Sequence, residues 1–343
     1  MRIAIDIMGG DNAPTSNIRG AQLAHNDFPD ITTLVLVGDS DIIKQELKKA
    51  SMRLDDPRIE IVHASQTVNM DDPSSAALRK KKDSSITVAA QLLKDRRADA
   101  LVSAGHTGAA VAATVVKTRT LEGIDRPGIA AVMPTPEDGQ FMVLDVGATV
   151  DAKPIHLAQY AILGEAYSHY ILKVKNPRVG VMSVGGEDGK GNELTKQAFK
   201  LLKQMPINFV GNIEGHDLFT NNIDVVVCDG FVGNVMLKSC ENIAKAISKI
   251  LRTRMRKTPM RMAGALLSKN AFRELKELVD HEEYGGAPLL GIDGNCIIAH
   301  GSSSPKAIRN AVRVAAEMVQ NKVNQHIISK ISKIDWQSID TSD

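Results

Sequence analysis

Short runs of β-branched residues alternate along the chain with longer stretches of helical period, and this alternation constrains the fold more than any other feature. The runs cover residues 2–6, 33–37, 59–62, 100–102, 141–146, 179–184, 224–228 and 296–299. Helical patterns fall over 41–50, 84–97, 109–120, 156–173, 192–204, 234–256 and 305–330. A chain that returns through a helix after each strand builds a mostly parallel sheet covered by helices. With 343 residues it is long enough for two domains of about 150 residues or for one large α/β unit. Pro127, Pro134 and Pro136 interrupt the pattern, yet there is no Ser/Gly linker or low-complexity tract beside them. The expected organisation is therefore a single two-lobed unit over 1–343, without a fixed-period repeat.

Composition removes several classes. Hydrophobic residues make up 43% and charged residues 24%, which places the chain among globular proteins and excludes intrinsic disorder. A net charge of +2 is too small for a polycation that collects nucleic acid, and 3% aromatic residues supply few base-stacking surfaces. Cys228, Cys240 and Cys296 are odd in number and lack C-x-x-C spacing, so neither a disulfide framework nor a zinc site is expected. The histidines show no H-E-x-x-H pairing, and no catalytic metal is expected. No secretion signal and no run of about 18 apolar residues is visible. The expected location is the cytoplasm, with peripheral attachment to the inner face of the membrane left open.

The turns at the strand ends carry the chemistry. Gly9-Gly10-Asp11, Gly38-Asp39, Gly105-His106-Thr107-Gly108, Gly147-Ala148, Gly185-Gly186-Glu187, Asp229-Gly230 and Gly301-Ser302-Ser303 all stand just past a predicted strand end. Ligands of open α/β sheets bind outside the carboxyl ends of the strands, where glycine lets the backbone approach an anion and helix N–H groups point at it. Any one such glycine is explained by a tight turn; their repetition points to a polar, phosphate-bearing ligand. The P-loop pattern, the G-x-G-x-x-G fingerprint after the first strand and the G-x-S-x-G elbow are all missing. A substrate that serves as its own nucleophile fits what remains.

Two segments offer functional side chains. In VGGEDGKGNELT, residues 184–195, Lys190 sits in a glycine-rich loop before a helix starting near Asn192, suited to phosphate or a developing oxyanion or else simply solvated. In DVVVCDGFVGNVMLK, residues 224–238, Asn234 reads either as an N-cap or as an amide donor at the same sheet edge, and Cys228 as a buried structural thiol. Arg79-Lys80-Lys81-Lys82 beside a helix start, and His106, are further candidates for holding an anion. From Asn242 to Arg273 the chain carries Lys245, Lys249, Arg252, Arg254, Arg256, Lys257, Arg261, Lys269 and Arg273 with no acidic residue. Ile243, Ile247, Ile250 and Leu251 recur at helical spacing, so 234–280 reads as a protruding basic amphipathic arm. Dimer packing, docking of an acidic protein and contact with anionic lipid all suit it.

Together these segments resemble the bacterial phosphate acyltransferases of phospholipid synthesis over roughly residues 1–319. The blocks, in order, are MGGDNAP from Met8, SAGHTGA from Ser103, LDVGATVDAKP from Leu144, GGEDGKGNELTKQ from Gly185, VGNIEGHD from Val210, DGFVGNVMLK from Asp229, YGGAPLLG from Tyr284 and AHGSS from Ala299. His106, Thr149 and Ser183 depart from the pattern, standing where asparagine is common. The resemblance implies a three-layer α/β/α sandwich with a mostly parallel mixed sheet, similar to isocitrate and isopropylmalate dehydrogenases and to phosphotransacetylase. It also implies a homodimer that needs no cofactor and takes acyl carrier protein and inorganic phosphate as partners. Acyl phosphate would pass to a membrane glycerol-phosphate acyltransferase. The residues expected to be catalytic are Lys190 and Asn234; the expected phosphate or substrate contacts are Gly9, Gly10, Asp11, Gly105, His106, Thr107, Gly108, Gly185, Gly186, Asp229, Gly233, His300, Gly301 and Ser302. Lys249, Arg252, Arg254, Arg256, Lys257 and Arg261 would meet carrier protein or membrane.

Overall fold

A computed structural model of the protein describes residues 1–69, 71–73, 79–137, 139–220, 222–279 and 285–336, with side chains described up to Glu274 in the arm. Tyr284 of the YGGAPLLG block and Asp280 at the end of the expected arm lie outside these residues. Strands β1 (Arg2–Asp6), β2 (Thr33–Gly38), β3 (Ile59–His63), β4 (Ala100–Ser103), β5 (Gly128–Pro134), β6 (Gln140–Leu144), β7 (Val179–Met182), β8 (Phe209–Ile213), β9 (Val225–Val227), β10 (Ala287–Leu290) and β11 (Cys296–Ile298) form one 11-stranded sheet. Its order is β3-β2-β1-β4-β11-β10-β5-β6-β9-β7-β8. Most neighbours are parallel; β10 pairs antiparallel with both β11 and β5, and β5 with β6.

Successive residues of each strand feed two cores, one on each face. Ile3, Ile5, Leu34, Leu36, Val102, Met142 and Leu144 enter one; Ala4, Val35, Val37, Leu101, Phe141 and Val143 enter the other. The first core is covered by α1 (Thr15–Asp27), α5 (Pro154–Tyr170), α6 (Glu193–Lys203), α10 (Pro305–Gln320) and α11 (Val323–Ile331), the second by α3 (Ser85–Lys94) and α4 (Thr107–Thr118). Helix α2 (Ser40–Lys49) comes after β2, its N-cap Asp39 accepting from Asp41 and Ile42 N–H. This is the expected α/β/α arrangement, and burial on both faces accounts for the near-continuous apolar strands.

Three strands escaped the pattern. β5 and β10 contain or adjoin Pro127, Pro134 and Pro288, and β8 is half-exposed. The helix expected over 305–330 is two helices, divided where Lys322 takes φ 50°. Helix α7 (Gly230–Met255) starts before Asn234: the N-cap is Asp229, whose carboxylate accepts from Phe231 and Val232 N–H at 3.0 Å, so Asn234 is no cap. At 26 residues α7 is about 39 Å long. Its base packs Met236, Leu237 and Cys240 on the second core; beyond, α8 (Pro259–Leu267) and α9 (Lys269–Val279) complete the arm. No described helix is long and apolar enough to cross a membrane.

Candidate active site

Strand direction divides the glycine turns into two groups, a correction to a single ligand edge. β5 runs with β4 and β11 but β6 runs against it, and β9, β7 and β8 share the direction of β6. The carboxyl ends of β1, β4 and β11 therefore leave one edge of the hydrogen-bonded ladder, and those of β6, β7, β8 and β9 leave the other.

At the first edge the turns after β1, β4 and β11 close on one another. A Cβ on Gly9 would lie 2.5 Å from Asp6 Oδ2 and 2.8 Å from Gly105 N; one on Gly10, at φ +108°, would lie 2.9 Å from Ala104 O and 3.0 Å from Gly301 O. Backbone approach this close needs glycine. Asn17, buried in α1, holds the first turn by donating from Nδ2 to the carbonyls of Asp6, Ile7 and Gly9 at 3.2, 2.9 and 2.8 Å. Asp11 N–H donates to Gly301 O, Asn12 Nδ2 to Ser302 O and Ser16 Oγ to Ser303 O, which fastens the β1 turn to the β11 turn.

Asp6 forms the floor. It is 2% exposed, accepts from Ser103 Oγ at 2.7 Å on Oδ2, and its pKa is raised by burial, against neighbouring hydroxyls and amides that pull it down. Ser103 Oγ in turn accepts from Gly105 N–H at 3.1 Å. His106 caps α4: its Nδ1 accepts from Ala109 N–H at 3.1 Å, which leaves the ring proton on Nε2. Thr107 and Gly108 open that helix ahead of its first internal bond, Ala110 N–H to His106 O. Their N–H groups are the orphan donors of a helix start. His300 is exposed and its Nδ1 takes Ser302 N–H at 3.2 Å, so it organises its own turn. Lys81 is a tie for the preceding loop: its Nζ donates to Thr67 O at 2.8 Å and to Asp72 Oδ2 at 2.6 Å.

At the second edge Asp145 is the organiser. Fully buried, it accepts backbone N–H groups of Ile129, Gly147, Ala148 and Thr149 at 2.6–3.0 Å. Burial pushes its pKa up and these donors oppose the push. The turn so held packs on the start of α7. A Cβ on Gly147 would lie 3.7 Å from that of Asn234, one on Gly230 2.8 Å from Thr149 O, and one on Gly233 1.9 Å from Asp145 O. Asn234 is exposed on the first turns of α7 beside Gly147, an amide at a helix start over a tightly bonded loop. Lys190 is exposed in its own loop; its stem lies against Gly185, and Asn192 caps α6 by accepting from Thr195 N–H at 2.9 Å. Gly186 faces Glu214 at the end of β8. Cys228 is buried, burial pushing its thiol far up, and it donates to Asp145 O.

Lys190, Asn234, Gly185, Gly186, Asp229 and Gly233 thus gather at the second edge. Gly9, Gly10, Asp11, Gly105, His106, Thr107, Gly108, His300, Gly301 and Ser302 gather at the first. Asp6, Asn17 and Asp145, which shape both, were missed, because the residues they bind are set by tertiary contact and leave no local spacing.

The layer order and the reversed half-sheet define the class: the fold is that of the phosphotransacetylases. A phosphotransacetylase from Streptococcus pyogenes matches with TM-score 0.61 and 15% identity over 95% of this chain and 94% of that one. The EutD phosphotransacetylase from Staphylococcus aureus matches with 0.59 and 15% over 93% and 94%. Residues 1–326 match the family model described as fatty acid synthesis protein. A phosphate acyltransferase from Geotalea uraniireducens is 49% identical over 97% of this chain and 95% of its own length, and one from Akkermansia muciniphila 48% over 97% of each. The chain belongs to the phosphate acyltransferase family and is an acyltransferase.

Proposed function

We propose that the protein transfers a long-chain fatty acyl group from acyl-acyl carrier protein to inorganic phosphate, releasing acyl phosphate for membrane phospholipid synthesis. The observation that carries this reading is the full-length relationship to phosphate acyltransferases. A phosphate oxygen attacks the thioester carbonyl; the tetrahedral intermediate collapses, the C–S bond breaks and the carrier thiolate leaves. Phosphate is substantially dianionic near neutral pH and needs no strong general base. The first-edge turns hold it through helix-start N–H groups and His106 Nε2–H. Lys190 and Asn234 stabilise the oxyanion, so the gain comes from proximity and preorganised charge.

Sheet twist supports a meeting of the two edges. Five steps separate β4 from β9, and twist of about 20–25° per strand sums to roughly 100–125°. That rotation swings opposed carboxyl edges toward one side of the sheet.

The arm supplies the docking surface. Lys249, Arg252, Arg254, Arg256, Lys257 and Arg261 are exposed there, complementary to an acidic carrier or an anionic membrane face. Ile243, Ile247 and Ile250 are 58–59% exposed, an apolar stripe suited to a second copy of the chain. The direct route is tested by mixing protein with acyl-acyl carrier protein in the absence of phosphate. Mass spectrometry should find no acylated protein, and initial rates with both substrates should intersect. A stoichiometric acyl adduct would replace direct attack by a covalent route.

A further inference from the structure

One group in the first-edge cluster has a hydrogen-bonding position that none of the described residues fills. Asp6 is fully enclosed, Ser103 occupies its Oδ2, and Oδ1 has no hydrogen-bond partner. The Ser85 hydroxyl and the Met8 and Gly9 amides are near, but none reaches Oδ1 in hydrogen-bonding geometry. A buried polar oxygen left unpaired is costly and calls for an explanation. Asp6 lines a cavity with Gly9, Thr67, Ser85, Gly105 and His106. Its volume, about 10 Å³ for the centre of a water-sized atom, has room for one oxygen atom.

The walls favour an anion while the floor does not. Ser85 and Ile86 begin α3, and His106 and Ala109 belong to the start of α4, so two helix N-termini converge on the opening. A carboxylate beneath them repels any oxyanion that presents only bare oxygens. It accepts a hydrogen bond from one that carries an O–H. Among tetrahedral anions near neutral pH, phosphate and arsenate hold such a proton and sulfate does not.

We propose that Asp6 is the specificity residue of the phosphate subsite, taking one protonated oxygen of the anion into the cavity so that carboxyl and anion share a single proton. The remaining oxygens face the turn N–H groups at the mouth. This rests on phosphate being the acyl acceptor, and adds the reason the site takes phosphate in preference to other tetrahedral dianions.

The test is calorimetric titration of the full chain, without acyl donor, with inorganic phosphate, arsenate and sulfate, for wild type and Asp6→Asn. In wild type, arsenate should bind within about threefold of phosphate, and sulfate at least about tenfold more weakly, the scale of a hydrogen bond to a charged group. In Asp6→Asn the phosphate-to-sulfate ratio should fall about tenfold or more, since the amide donates to a bare oxygen. Equal binding of sulfate and phosphate by wild type, or an unchanged ratio in the variant, overturns the proposal. So does a variant that fails to fold, because asparagine keeps the Ser103 bond and the proposal gives Oδ1 no part in folding. Acyl phosphate formation by the same wild-type sample is scored separately. Activity with an unchanged anion ratio overturns the subsite alone; intact anion discrimination without acyl phosphate overturns the acyl-transfer reading.

Discussion

Two buried aspartates separate a group kept for binding from a group kept for folding. Both have pKa values raised by burial, but Asp145 satisfies four backbone amides while Asp6 has one hydroxyl partner and a free oxygen. A carboxyl whose folded pKa is raised favours folding when protonated. Its contribution is present below the unfolded value and is lost as pH rises through the folded one. At pH 7, Asp6→Asn should therefore raise the melting temperature, by about 1–2 °C if the gain is about 1 kcal/mol in a chain of this length, with the gap closing below the ordinary carboxylate range. Asp145→Asn should instead destabilise by about 2–3 kcal/mol, because an amide cannot accept from all of these donors. Thermal scans across pH check both. For catalysis, Lys190→Ala and Asn234→Ala should each lower kcat by about 10²-fold in a folded protein, the range of a lost oxyanion donor. Wild-type turnover in either removes that residue from the mechanism. Cys296, its thiol pushed up to about 12, and the still more perturbed Cys228 are buried, whereas Cys240 is half-buried. A thiol reagent should modify Cys240 alone in the native protein and all three cysteines after denaturation.

Among the elements, α7 shows how close packing ties the fold to the site. Alanine is intrinsically better than glycine in a helix by about 1 kcal/mol, but at Gly233 its Cβ would meet Asp145 O at 1.9 Å. Gly233→Ala should cost more than about 3 kcal/mol, read by denaturant titration; a neutral effect would show that the helix start has room to move. The same elements show what local sequence conveys. Central strands such as β2, buried throughout, were legible as apolar runs, and so was the start of α6 near Asn192, though not its cap. Helix α1 was not legible, since Ser16, Asn17 and Gly20 lie on its buried face and serve hydrogen bonds and close approach to α10. β10 was hidden by Pro288, a residue ordinarily kept out of inner strands. The reversal of β6 was hidden for a more general reason: a strand with a glycine turn and a helix after it reads the same whichever way the strand points. Candidate site residues could be found locally, but their division between two edges could not.

For the whole molecule, the arm is where charge and apolar surface leave the globular body together. Ile247→Glu with Ile250→Glu should shift the sedimentation coefficient from dimer to monomer if the apolar stripe joins two copies of the chain. Reversing charge at Arg252, Arg254 and Lys257 should raise KM for acyl-acyl carrier protein several-fold and flatten its salt dependence, leaving phosphate KM unchanged. An unaltered carrier KM would move docking elsewhere. Acyl transfer to phosphate itself is decided by detecting acyl phosphate from long-chain acyl-acyl carrier protein, with and without inorganic phosphate and with acyl coenzyme A as a comparison donor. Phosphate-dependent acyl phosphate from the carrier substrate is the expected result; a folded protein that forms none from that donor would contradict the proposed function.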